Sequence, residues 1–207
     1  MSVVLHHHPF SRAATVVWML EEVGVPYTLH HVDLMTGAQK RAEHVALNPM
    51  GKLPVLEDGA AVVSEGPAIG LYLADRYAYG RLAPAMDDPR RGAYLRACVF
   101  ATAVVEPAAL AKRQGWEYAA GNAGFGSYDD MMDSVEATIR PGPWVLGDMF
   151  SMADVVLGAT VRYLLRFKMM DPRPEIVAYV ARLDARPASI AADARNAAAV
   201  AEHGLGR

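Results

Sequence analysis

The chain has 207 residues, enough for one large domain or two small ones, and is 53% hydrophobic and 21% charged, as expected of a globular protein. Its formal net charge of −3 supplies no basic field to recruit nucleic acid. The single cysteine, Cys98, excludes an internal disulfide, a CxxC redox pair and a cysteine-based zinc site.

Val3–His7 reads as a strand, and His6-His7-His8 as its end, with alternate side chains on opposite faces rather than a metal cluster. Ala13–Val23 reads as a helix with Val16, Val17, Leu20 and Val23 on one face and Gly24 as its stop. Tyr27–Val32 is a second strand, giving a right-handed βαβ unit. Residues 36–47 read as irregular or short helical structure. Leu53–Leu56 and Ala60–Val63 form a hairpin around Asp58-Gly59, and Pro67–Tyr77 a helix. The order βαβ, then ββα, is that of a thioredoxin-like fold. Residues 79–88 read as a linker. Beyond it alanine-rich helical patterns dominate, with helices expected over 89–112, 127–139, 152–167 and 174–185 and a kink at Pro107. The expected division is therefore an α/β thioredoxin-like domain (1–78), a linker (79–88) and an all-helical domain (89–207). No signal-peptide pattern opens the chain and no apolar run reaches about 18 residues, so a cytoplasmic location is expected. Cys98 lies in an apolar helical stretch and reads as a buried, inert thiol.

Two segments carry chemistry. In Asn48-Pro49-Met50-Gly51-Lys52-Leu53-Pro54-Val55-Leu56 a loop enters a strand through a proline, which cannot donate to a sheet ladder. A cis Leu53–Pro54 bond would turn the Leu53 N–H and C=O outward, where an extended peptide could add as a strand. An ordinary turn at a strand start is the alternative. In Ser64-Glu65-Gly66-Pro67 proline suits the first helical position, making Gly66 the expected N-cap. Free N–H groups and the helix dipole there favour an anion, and Glu65 can accept from an ammonium. Together they suit a peptide-like ligand carrying both charges; a Pro-started helix with a solvated glutamate is the plainer reading. Further on, Ser151 suits an N-cap with Asp154 reaching back to it, a capping box that serves folding, with Phe150 and Val155 at the staple positions.

The composite Asn-Pro-x-Gly-Lys-x-Pro-x-Leu, then Glu, then Ala-Ile-x-x-Tyr-Leu resembles the glutathione S-transferase family. The resemblance runs from Ser11-Arg12-Ala13 to the Phe150–Asp154 cap. It implies a homodimer of thioredoxin-like and all-α domains, active in detoxification, that takes glutathione as co-substrate and no metal. It also implies a small hydrophobic electrophile or peroxide as second substrate, and neither nucleic acid nor membrane as partner. Carried over by position, Leu53 pairs with the cysteinyl part of glutathione, Pro54 is the cis-proline, Lys52 contacts the ligand or is solvated, and Glu65 lies near the γ-glutamyl group. Gly66 departs from the family's serine or threonine and keeps only an N–H for the γ-glutamyl carboxylate. Gln39 and Lys40 match the glycyl-carboxylate region only loosely.

The chemistry needs a thiolate, and lowering a thiol pKa from about 8.5 by two units takes about 2.7 kcal/mol. A hydroxyl donating to sulfur and a helix N-terminus each supply part of it. Ser11 is placed for both and resembles the serine of serine-type members; a plain N-cap is its other reading, and the two can coexist. Arg12 either adds positive charge at the sulfur or points to solvent. Phe10 and Tyr94 are candidates for the hydrophobic pocket, and Trp116 and Tyr118 for pocket or core. The reading is thus a glutathione transferase-like enzyme. Its alternative is a non-catalytic member that binds glutathione, a hydrophobic ligand or a protein partner.

Overall fold

The structure, a computed structural model, describes residues 3–206. It divides into two compact units, residues 1–77 with 186–207, and residues 78–185.

The first unit is built on a four-stranded sheet of order β2-β1-β3-β4, from β1 (Val3–His7), β2 (Tyr27–His31), β3 (Val55–Asp58) and β4 (Ala61–Ser64). β1 and β2 run parallel, and β3 lies antiparallel to both β1 and β4. The parallel pair needs a crossover, supplied by α1 (Ala13–Val23), whose buried Val16, Val17, Leu20 and Val23 are the predicted face. The left-handed Gly24 ends it, its N–H on the Leu20 carbonyl. The hairpin sits one to two residues later than expected: β3 starts at Val55, after the proline that has no N–H for the ladder, and the turn is Gly59-Ala60.

α1 packs against α3 (Gly66–Tyr77) and against α9 (Pro187–Glu202). The expected boundaries group residues 187–202 with the helical region and predict no helix there, yet α9 forms and packs within the first unit. Pro187 opens it at the position where a missing N–H does no harm. Arg186 just before it grips the buried Glu22 carboxylate through Nε (2.6 Å) and Nη2 (2.7 Å), and the Trp18 indole N–H donates to the same carboxylate (3.0 Å). Asn196 on α9 bonds His7 (2.8 Å) and the Ala14 carbonyl (3.2 Å).

The second unit is helical: α4 (Arg91–Phe100), α5 (Glu106–Gln114), α6 (Tyr128–Ile139), α7 (Met152–Arg166) and α8 (Pro174–Asp184). The expected long helix over 89–112 is continuous as Arg91–Gln114, but Ala101–Val105 winds as π-helix. Pro107 supplies the reason: its ring and missing N–H disturb the ladder one turn back, and the wider π turn absorbs that. By length and hydropathy this helix could cross a membrane; here Tyr94, Ala97, Cys98 and Ala101 on it are buried, and α4 packs on α7. α7 is the core helix. Its capping carboxylate, Asp154, accepts from Ser151 N–H (2.9 Å), Val145 N–H (2.8 Å) and the Tyr179 hydroxyl of α8 (3.0 Å). Burial pushes the Asp154 carboxyl up from its ordinary range, against the pull of those donors.

Candidate functional site

The sequence-predicted peptide-binding residues gather where the loop before β3 and the start of α3 leave the sheet of the first unit. The Leu53–Pro54 bond is cis. The backbone ahead of it is fixed from two sides, because the Lys52 carbonyl accepts from His44 Nε2 and from Asn48 Nδ2, each at 3.0 Å. Asn48 also turns the loop onto itself, its side-chain oxygen accepting the Met50 N–H (3.1 Å) and its carbonyl the Gly51 N–H (2.7 Å). Lys40 Nζ donates to the Met50 carbonyl at 2.7 Å. Gly51 is required here: its φ is +57°, and a Cβ would lie 2.8 Å from the Gln39 carbonyl oxygen. Lys40 and Gln39 therefore act on the loop from behind. The Lys52 side chain is exposed, Leu53 half-buried and Pro54 buried.

Glu65 holds φ +69°, a left-handed conformation that is uncommon for a residue with a Cβ. Its carbonyl accepts the Ile69 N–H, so Glu65, not Gly66, is the residue that caps α3, one position earlier than expected. The left-handed turn at Glu65 lets the chain leave β4 and enter the helix at once, which makes Gly66 the first helical residue. The Glu65 side chain is exposed. Gly66 is half-buried, and nothing lies within 4 Å of where its Cβ would stand.

α3 is held in place by Asp58 at the end of β3. Its Oδ2 accepts from the Tyr77 hydroxyl (2.5 Å), from Arg76 Nε (2.7 Å) and from the Tyr72 hydroxyl (2.9 Å). Burial raises the Asp58 pKa, but the two tyrosine hydrogen bonds and the Arg76 charge outweigh it and leave the carboxyl below its usual range.

Ser11 lies in the turn between β1 and α1. Its hydroxyl donates to the His8 carbonyl (2.8 Å) and accepts the Ala13 N–H (3.1 Å). Its N–H also goes to the His8 carbonyl, at 3.0 Å. The N-cap of α1 is Arg12, with no side-chain cap, so the Ser11 hydroxyl closes the turn ahead of the helix rather than capping it, and turning it toward a ligand requires rotation about χ1. Arg12 is half-buried. Phe10 is 58% exposed beside Ser11, whereas Tyr94 is wholly buried in the second unit and has no surface to offer a ligand in this structure. Trp116 and Tyr118 are exposed on the loop after α5, so their core alternative does not hold.

His44, Asn48 and Asp58 are the positioning residues that sequence reasoning missed. Asn48 stood inside the quoted motif without a role; His44 and Asp58 gave no local signal, since their partners lie 8 to 19 residues away. His6, His30, Asp33, Arg41 and His44 line a cavity of about 640 Å³ in the first unit. Among the described residues no three His, Cys, Asp or Glu side chains are placed to hold a metal ion.

Comparison with known proteins converges on one family. Residues 1–75 match the family "Glutathione S-transferase, N-terminal domain", and residues 108–182 match "Glutathione S-transferase, C-terminal domain". Glutathione S-transferase APIC of Nicotiana tabacum is 27% identical over 205 residues, covering 91% of this chain and 95% of its own. Among solved structures, a glutathione transferase from Methylococcus capsulatus has TM-score 0.76 and 27% identity, covering 94% of this chain and 98% of its own. A glutathione transferase homologue from Sulfitobacter, solved with bound glutathione, has TM-score 0.73 and 26% identity over the same shares. With an N-terminal and a C-terminal model of one family matched over residues 1–75 and 108–182, the chain belongs to the glutathione S-transferase family.

Proposed function

We propose that the protein binds glutathione at the Leu53–Pro54 and Glu65–Gly66 edges and activates its thiol for attack on a small hydrophobic electrophile or peroxide. The observation that carries this reading is Glu65 at φ +69°: a conformation costing about 1–3 kcal/mol persists where the surroundings impose it, and such outliers cluster at ligand clamps. Glu65 thus stands at the N-terminus of α3, where its carboxylate would accept from the ammonium and the N–H groups of the first turn would donate to the carboxylate of the zwitterionic γ-glutamyl group. The Leu53 backbone would pair with the cysteinyl part, with Lys52 beside it.

In the chemical step the thiol gives up its proton to solvent water, the thiolate pair forms a bond to the electrophilic atom, and the leaving group departs with the electron pair of the bond that breaks. Ser11 would rotate its hydroxyl from the His8 carbonyl to the sulfur, with the N-terminus of α1 adding its dipole. Phe10 would offer apolar surface to the second substrate. The homodimer, the cytoplasmic setting and the detoxification role implied by the resemblance belong to the same proposal.

A second reading, binding without turnover, is favoured by Gly66, which removes a hydroxyl from the carboxylate site. One calorimetric titration with reduced glutathione tests the site. Saturable binding weakened by Glu65→Ala is expected, followed by turnover across a panel of electrophiles. Binding without turnover would favour the second reading; no heat at millimolar glutathione would sink the first and leave a member of the fold that binds a hydrophobic ligand or a protein partner.

A further inference from the structure

Three of the hydrogen bonds that shape the Ser11 turn end on His8. Its carbonyl takes the Ser11 N–H and hydroxyl, and its ring Nδ1 takes the Phe10 N–H at 3.2 Å. The ring bond is the one that depends on protonation. An imidazole accepting at Nδ1 carries its single proton on Nε2, and His8 Nε2 is buried without a hydrogen-bond partner, in a side chain only 3% exposed. A second proton would land on Nδ1 and set an N–H against the Phe10 N–H.

The surroundings oppose that proton. The His31 ring at the end of β2 lies 5.4 Å from the His8 ring, and it stacks in turn on His203 at 3.8 Å, with planes 20° apart. His203 follows directly on α9. Two carboxylates pull the other way, Asp33 favouring a proton on His8 and His31 and Glu202 one on His31, while His7 and His30 add further imidazoles that disfavour it. Asp33 is already engaged by the Met35 N–H (2.9 Å) and by Thr36.

We propose that His8 is a positioning residue for the Ser11 turn, held as a neutral imidazole against His31 and the His203 ring stacked on it, and that protonation of His8 releases the turn. The end of α9 is thereby tied to the segment that carries Ser11, and acid loosens both together. The structural part stands without the proposed function; the consequence for thiol transfer rests on it. Burial foremost, then the neighbouring histidines, hold His8 and His31 below the ordinary histidine range, which places the release on the acid side of 6.5.

The test is a pH titration of the full ¹⁵N-labelled chain, following the Phe10 amide and the His8 ring by NMR. The two should share one midpoint below 6.5. His203→Ala should raise that midpoint, because the imidazole it removes is stacked on His31 and disfavours a proton on both His31 and His8. His8→Asn, whose side-chain oxygen can stand where Nδ1 stood, should abolish the titration of the Phe10 amide. A Phe10 amide that ignores the His8 titration, or a midpoint unmoved by His203→Ala, overturns the proposal. In a turnover assay the acid limb of kcat/KM should fall at the same midpoint. A protein without turnover would count against the transferase reading alone, since the NMR titration needs no substrate.

Discussion

The Ser11 hydroxyl and the His8 carbonyl are joined at 2.8 Å, so the proton that the proposed chemistry would direct at sulfur is already committed within the turn. Two roles therefore compete for one hydroxyl. Ser11→Ala should cost about 1 kcal/mol of stability through loss of the hydroxyl bonds that close the turn. If the hydroxyl also serves the thiolate, kcat/KM should fall by about 10- to 150-fold, the equivalent of a hydrogen bond to a charged group. Steady-state kinetics together with a denaturant curve separate the two; unchanged turnover in a variant that still binds glutathione leaves Ser11 as a turn residue only.

Gly66→Ser should tighten glutathione binding. The added Cβ meets nothing within 4 Å, so the hydroxyl enters without strain, next to where the γ-glutamyl carboxylate is proposed to lie. A charge-assisted hydrogen bond worth about 1.5–3 kcal/mol corresponds to a Kd lower by about 10- to 150-fold. Calorimetry on both forms reads it, and equal affinities would place the carboxylate elsewhere.

Arg186→Ala should be severely destabilising although Arg186 itself is partly exposed. It removes two of the three hydrogen bonds to the buried Glu22 carboxylate described above. Removing one partner of such a pair costs about 3–5 kcal/mol. Urea unfolding followed by tryptophan fluorescence checks it, and a loss under about 1 kcal/mol would mean that α9 contributes little to holding α1.

Asp154→Ala should likewise destabilise, by about 3 kcal/mol, because it leaves the Val145 and Ser151 N–H groups and the Tyr179 hydroxyl without their acceptor in the core. Asp154→Asn retains one oxygen and should recover part of the loss. Thermal unfolding of the pair of variants makes the comparison.

Stability should fall as pH drops below 6.5. His7, His8 and His31 have lowered pKa values, burial being the largest cause in each. Between the folded and unfolded pKa the unfolded chain binds more protons, so acid favours unfolding in that window and the full contribution returns above 6.5. Asp58, held below its usual range, loses its contribution only at still lower pH, from about 4 downward. Denaturant curves at pH 7.5 and 5.5 should differ in the wild type and differ less in His31→Ala.

Most of the fold was legible because it rests on local chemistry. The apolar spacing of Val16, Val17, Leu20 and Val23, the glycine stop at Gly24 and the Ser151 cap are written within one or two helical turns. So was the family, whose Asn48–Leu56 and Glu65–Leu73 motifs are contiguous in the chain. Boundaries slipped where one backbone group decided them: β3 waited for Val55 because Pro54 has no N–H, and α3 was capped by Glu65 because that residue turns left-handed. α9 was legible in principle from Pro187 and its alanine content, but helix propensity does not say which partner a helix will cover.

What the sequence determined by itself was the order of elements, the candidate peptide edge and the absence of a dithiol, since each follows from residue type and near-neighbour spacing. The tertiary structure alone decided that His44 and Asn48 hold the Lys52 carbonyl, that Arg186 closes on Glu22 and that His8, His31 and His203 meet. These contacts join residues that are distant in the chain or carry no local pattern. Only the packing of β1, β2, α1 and α9 against one another brings such charges and imidazoles within bonding range.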